Sequence, residues 1–164
     1  MRRFSLIALA LMAASGCSEP EPPYVSPVTF DTATAWIRVA ADSTPLLIEV
    51  ARTSAQKSFG LMARPALDSA SGMIFLYDAA QPDTNGFWMW RTRMPLDIAF
   101  LDSAGVVLRV LSMEPCPSDM YASACDTYVP RVAYWSALEV NKGWFARHGV
   151  GEGAVVRVEG ASPR

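Results

Sequence analysis

The chain has 164 residues, is 51% apolar and carries a formal net charge of −2. Without Arg2 and Arg3, which fall in the leader described next, 12 basic residues face 16 acidic ones, a net −4. That balance excludes a basic stripe for neutralising nucleic-acid phosphates and a polybasic contact with anionic lipid.

The N-terminus reads Met1-Arg2-Arg3, then an apolar run from Phe4 to Ala14, then Ser15-Gly16-Cys17. A charged start, a short apolar stretch and small residues at the end make residues 1–16 a secretory leader that is no part of the fold. Roughly ten apolar residues are too few to span a bilayer, which takes about 20. Ala14-Ser15-Gly16-Cys17 resembles the lipobox of bacterial lipoproteins. The resemblance implies export, a lipid on Cys17 and membrane attachment through that lipid. Ser18, where an aspartate would favour the inner membrane, points to the outer membrane, facing the periplasm. An ordinary leader with an incidental cysteine is the competing reading, and the placement of Cys17 favours lipidation. Residues 17–27 hold Pro20, Pro22, Pro23 and Pro27. Proline fixes φ and removes donors, so this stretch is an extended tether. A single domain follows over residues 28–160, large enough to bury a core.

Within it, Val28 to Ala40 predicts one or two short strands, and Leu46 to Val50 a clearer one. Thr53 with Gln56 three residues on has capping-box spacing, so a short helix runs to Phe59 and stops at Gly60. Arg64-Pro65 is a turn. Met73 to Tyr77 is an apolar run of strand length, and Asp78 to Asn85 a polar loop. Gly86 to Trp90 predicts an aromatic strand broken by Met94-Pro95. Leu96 to Leu101 and Val106 to Leu111 flank Asp102-Ser103-Ala104-Gly105, a hairpin signal. Cys116 and Cys125 bracket a loop rich in breakers. An exported compartment is oxidising, and the spacing is not that of a redox pair, so the expected state is a structural disulfide. Val132 to Val140 predicts a strand, Asn141 the N-cap of a helix over Lys142 to His148, and Ala154 to Glu159 a last strand. The expected fold is a β-rich α+β domain: a compact, partly closed barrel of seven or more short strands with two short helices.

Four ordered segments resemble the domain-of-unknown-function 192 family: Ala55-Gln56-Lys57-Ser58-Phe59-Gly60-Leu61-Met62-Ala63-Arg64, Gly72-Met73-Ile74-Phe75, Phe87 to Phe100, and Ala137-Leu138-Glu139-Val140-Asn141-Lys142-Gly143-Trp144. The resemblance covers about residues 45–159 and implies a β-rich fold with no assigned activity. After Trp-Met, relatives carry Lys-Asn-Thr where this chain has Trp90-Arg91-Thr92.

The chemistry is sparse. The one histidine, His148, is read as a cation favouring a helix C-terminus rather than as a catalytic group. No nucleotide loop, EF-hand or nucleophile motif occurs, so no cofactor, metal or catalytic residue is assigned. Met62, Met73, Met89, Met94 and Met113 suit soft copper, yet they lack close clustering and read first as core filler. Asp97 and Glu139 each interrupt an apolar strand. A buried unpaired carboxylate is costly, so each calls for a partner, with Arg64, Arg91 and Arg93 as candidates, or for a solvated cleft. A structural ion pair is the favoured reading. Trp88 and Trp90 share one strand face and Phe87 and Met89 the other; if the latter pair points inward, both tryptophans are partly exposed and able to stack on a saccharide or partner. The candidate binding residues are therefore Arg64, Trp88, Trp90, Asp97 and Glu139. The leading expectation is a non-catalytic envelope binding module for a small ligand, glycan or envelope protein. The alternatives are an enzyme using Asp97 and Glu139 on an envelope glycan and, more weakly, methionine-based copper binding.

Overall fold

Period-two patterning dominates the chain, and strands dominate the fold. A computed structural model describes residues 24–116 and 121–160; the leader, Cys17 and the tether through Pro23 lie outside the described residues. The strands are β1 (Asp31–Val39), β2 (Asp42–Ala51), β3 (Ser71–Gln81), β4 (Phe87–Trp88), β5 (Leu96–Leu101), β6 (Val107–Met113), β7 (Thr127–Tyr128), β8 (Tyr134–Asn141) and β9 (Val155–Glu159), with helices α1 (Ser54–Phe59) and α2 (Trp144–Arg147). Seven strands form one sheet in the order β6-β5-β8-β3-β2-β1-β9, and β4 and β7 form a separate ribbon. Neighbours are antiparallel except β2 and β3, whose parallel pairing is reached through α1.

The two edge strands meet. The Val107 N–H donates to the Ala154 carbonyl at 2.8 Å and the Val156 N–H to the Gly105 carbonyl at 2.8 Å. This contact turns the sheet into a partly closed barrel. Its interior holds Ile37, Leu46, Ile48, Ile74, Leu101, Leu138, Val140 and Val156, plugged by Trp144 and Phe145 of α2. A second apolar layer lies on the outer face of β3, β8 and β5: Met73, Phe75, Ile98, Phe100 and Ala137, covered by Leu61, Phe87, Met89 and Met94. Central strands buried on both faces have no polar side to show, which is why Leu96 to Leu101 reads as an apolar run. Each large side chain so buried contributes about 1.5–3 kcal/mol. The methionines of these segments are buried filler in this layer, with Met73 and Met113 fully covered.

Local chemistry explains the short elements. Thr53 accepts from the Gln56 N–H while the Gln56 side chain accepts from the Thr53 N–H, the expected capping box. Gly72 sits where β3 passes closest to β8; a Cβ there would stand 2.6 Å from the Glu139 carbonyl oxygen. The Cys116–Cys125 disulfide is formed, with Cα atoms 5.8 Å apart. Closing a loop of about ten residues contributes roughly 3 kcal/mol in the chain-entropy view.

Four local expectations are corrected. Val28 to Ala40 yields one strand, within the one or two expected, but β2 starts at Asp42 rather than Leu46, because a tight turn at Ala40 (φ 52°) keeps the pair in register down to Val39 and Asp42. β3 runs on to Gln81, past a register shift after Leu76, because Gln81 still pairs with Tyr134. The aromatic strand shrinks to Phe87–Trp88, since only those residues find partners in β7. Asn141 is not an N-cap: it ends β8, and its amide donates to the Leu67 and Asp68 carbonyls, while Gly143 precedes a shorter α2.

Candidate functional site

The register fixes which side chains can meet. Glu49, Met73, Glu139 and Ile98 are consecutive partners across β2, β3, β8 and β5. Directly paired residues share a face, so this row points into the outer layer with Met73 and Ile98. Asp97 pairs with Val140, which points into the barrel. Asp97 and Glu139 therefore lie on opposite faces of the sheet and cannot act on one substrate. The paired-carboxylate enzyme loses its geometric basis.

Neither carboxylate has the arginine that the sequence reading gave it. Asp97 is 4% exposed and accepts from the Ser112 hydroxyl at 2.7 Å and the Gly143 N–H at 2.7 Å. It ties β5 to β6 and to the turn entering α2. Arg64 lies 2.5 Å from Glu49 and beneath the rings of Tyr24 and Phe30. It fastens the Gly60 to Arg64 segment over the outer face. Arg91 is exposed and stacks on the Trp90 ring at 4.6 Å.

Glu139 is the exception. It is 5% exposed and makes no hydrogen bond or ion pair among the described residues. Burial pushes its carboxyl up from 4.5 to about 8. It lies at the floor of a cleft of about 110 Å³ walled by Met62, Phe75, Tyr77, Phe87, Trp88 and Thr92, with Lys57 beside Tyr77. Burial raises the Tyr77 hydroxyl as well; a hydrogen bond with Tyr134 offsets part of this, and the nearby Glu139 charge adds a smaller rise. The Lys57 ammonium donates to the Leu76 carbonyl at 3.1 Å and sits 4.5 Å over the Tyr77 ring.

Two loops frame the cleft. The Ala63 N–H donates to the Arg91 carbonyl at 2.8 Å. Both residues sit in the left-handed region, at φ 61° and 58°. Non-glycine residues there cost of order 1–2 kcal/mol each, so the hydrogen bond joins the loops at a strained point. Phe87 and Met89 point inward, which leaves Trp88 46% exposed and Trp90 half-buried beside it, ring centroids 6.3 Å apart. Glu139 and Trp88 thus share one site, Arg64 stands to its side, and Asp97 is apart from it. Lys57, Tyr77, Phe87 and Thr92 were not among the expected site residues. Alternation puts Tyr77 on the face of Met73 and Phe75 and could have found it; nothing in the sequence singles out Lys57. His148 stacks on Trp144 at 4.0 Å with Nδ1 2.8 Å from the Trp144 carbonyl oxygen, a packing role.

A larger depression of about 240 Å³ lies beside Arg64 and Glu49, lined by Leu47, Ala66 and Leu67. Its ionic groups already face each other.

Among known proteins, no curated sequence matches. Several solved structures share the fold, two of them over 83% of this chain. One, from Novosphingobium aromaticivorans DSM 12444 and of unknown function, is 31% identical, with a TM-score of 0.68 over 83% of this chain and 92% of the other. The second, from Sinorhizobium meliloti 1021 and described as a candidate transcription regulator, is 25% identical, with a TM-score of 0.71 over 83% of this chain and all of the other. The profile of the DUF192 family, described as an uncharacterised ACR, matches residues 37–158, and the chain belongs to that family.

Proposed function

We propose that this protein is a lipid-anchored, non-catalytic binding module of the cell envelope, and that the cleft over Glu139 is its binding site. One observation carries the reading: a buried carboxyl without a partner among the described residues lines a cleft whose rim is a half-exposed tryptophan. A purely structural acid gains a partner, as Asp97 does, or is replaced by an apolar residue. The cleft is small beside the roughly 300–1,000 Å³ of a drug-sized site. It suits one protruding group of a ligand, with Trp88 contacting the remainder. The lipobox-like leader supports the location, with Cys17 as anchor and the residues between it and Tyr24, which packs on the domain, as spacer. The description of the S. meliloti protein as a candidate transcription regulator is not carried over, because the acidic balance of this chain disfavours binding to nucleic acid.

Tryptophan emission of the full chain, titrated with peptidoglycan and other envelope fragments, tests the site. A fragment that binds should bind about tenfold more weakly to Trp88→Ala, the scale of one lost aromatic contact. Cys17→Ala should move the protein from the membrane fraction to the soluble periplasm. Binding indifferent to both Trp88→Ala and Glu139→Gln would contradict the site, and a Cys17→Ala protein still held at the membrane would contradict the anchor.

A further inference from the structure

We propose that the cleft binds a primary ammonium group on a short alkyl chain, with the Glu139 carboxylate as its counter-ion and the rings of Tyr77 and Trp88 as its walls. The assignment rests on reading this cleft as the binding site and names the chemistry of its ligand.

What Glu139 lacks is a donor. Lys57 from α1 and Tyr77 from β3 line the cleft with it, Ile98 is its partner on β5, and Tyr134 of β8 stands behind Tyr77, to which it hydrogen-bonds. The Lys57 ammonium is taken by the Leu76 carbonyl and the Tyr77 ring, and the Tyr134 hydroxyl by the Asn85 carbonyl at 3.0 Å. Arg64, on the same face, is held by Glu49 two strands away, about 10 Å at ordinary strand spacing. No cation of the described residues reaches the carboxyl. The walls are aromatic, and ring faces attract cations. Lys57 over Tyr77 is an example within the same cleft. An anionic ligand would meet carboxyl oxygens and aromatic rings, both unfavourable to it, while the cation of the lining, Lys57, is already engaged by the Leu76 carbonyl and the Tyr77 ring. A neutral ligand would find only the protonated acid and gain no charge pairing from it.

Charge linkage follows. An ammonium ion pairs with the ionised form, so binding below about pH 8 expels the Glu139 proton. Affinity should rise roughly tenfold per pH unit towards pH 8 and then level off until the amine itself deprotonates near pH 10.

The probes are butylamine, butanol and butyrate, each titrated into the purified full chain between pH 6 and pH 9. Tryptophan emission and calorimetry in buffers of different ionisation enthalpy supply the readouts. Butylamine should bind best, release about one proton at pH 7 and follow the stated pH profile. Glu139→Gln, near-isosteric, should bind butylamine at least tenfold more weakly and lose the pH dependence. Preference for butyrate or butanol would overturn the ammonium assignment while leaving the cleft as a binding site. Butylamine binding that survives Glu139→Gln, or that is flat from pH 6 to pH 8, would overturn it as well. The cleft reading itself falls only if envelope fragments bind without regard to Trp88 and Glu139.

Discussion

Glu139→Gln is expected to stabilise the domain at pH 8 and to change it little at pH 4.5. The folded state holds the Glu139 proton up to about pH 8, whereas the unfolded chain releases it near 4.5. Below 4.5 both states are protonated and the group adds no pH dependence. Between 4.5 and 8 the unfolded state loses its proton first, so wild-type stability falls as pH rises. Above 8 both states are ionised and the loss is complete. Each unit of difference corresponds to about 1.4 kcal/mol, which sets an upper limit of about 5 kcal/mol. Glutamine stays neutral throughout and escapes the loss. Urea melts of both proteins at pH 5, 6.5 and 8 should show a gap opening with pH. A gap of constant size, or a glutamine variant less stable at pH 8, would mean that the native state holds a partner for the carboxylate.

The second large effect concerns the other carboxylate and has the opposite sign. Asp97→Ala removes the acceptor of the Ser112 hydroxyl and the Gly143 N–H. Hydrogen bonds to a charged group contribute about 1.5–3 kcal/mol each, and the donors are left without a partner. A loss of about 3–5 kcal/mol is expected. Asp97→Asn keeps one oxygen for Gly143 and can turn its amide towards the serine oxygen, so its loss should be nearer 1–2 kcal/mol. The denaturation midpoint, with an unchanged m-value, measures both. An alanine variant as stable as the wild type would show that Asp97 does not hold β5 to the turn before α2. The contrast between the two sites is informative in itself: removing the charge weakens the satisfied acid and strengthens the orphaned one.

Much of the framework was legible because it is written in short-range chemistry. The capping box of Thr53 and Gln56, the Asp102 to Gly105 hairpin and the apolar run of β5 depend on neighbours in sequence. The family motifs and the disulfide likewise survived as expected. The pairing of the carboxylates did not. In a sheet buried on both faces, an acid flanked by apolar residues looks the same whichever way it points. Only the register of Ile98 with Glu139 and of Asp97 with Val140 separates them. The Arg64–Glu49 pair spans a parallel crossover, so no spacing rule announces it. Asn141 has the composition of a cap, but an amide at a strand end can bridge two carbonyls of a distant loop, and here that use prevails. The exposure of Trp88 was foreseen only conditionally, since alternation gives which residues share a face and tertiary packing decides which face is covered.

The most direct test of the site is the titration of the Glu139 side-chain carboxyl, followed by its ¹³C resonance in the folded native chain without ligand. A midpoint near pH 8 is expected for an acid buried in the cleft without a partner among the described residues. A midpoint near the ordinary 4.5 would mean that water or a donor already satisfies the carboxylate, and the cleft would have no unmet charge with which to bind a ligand.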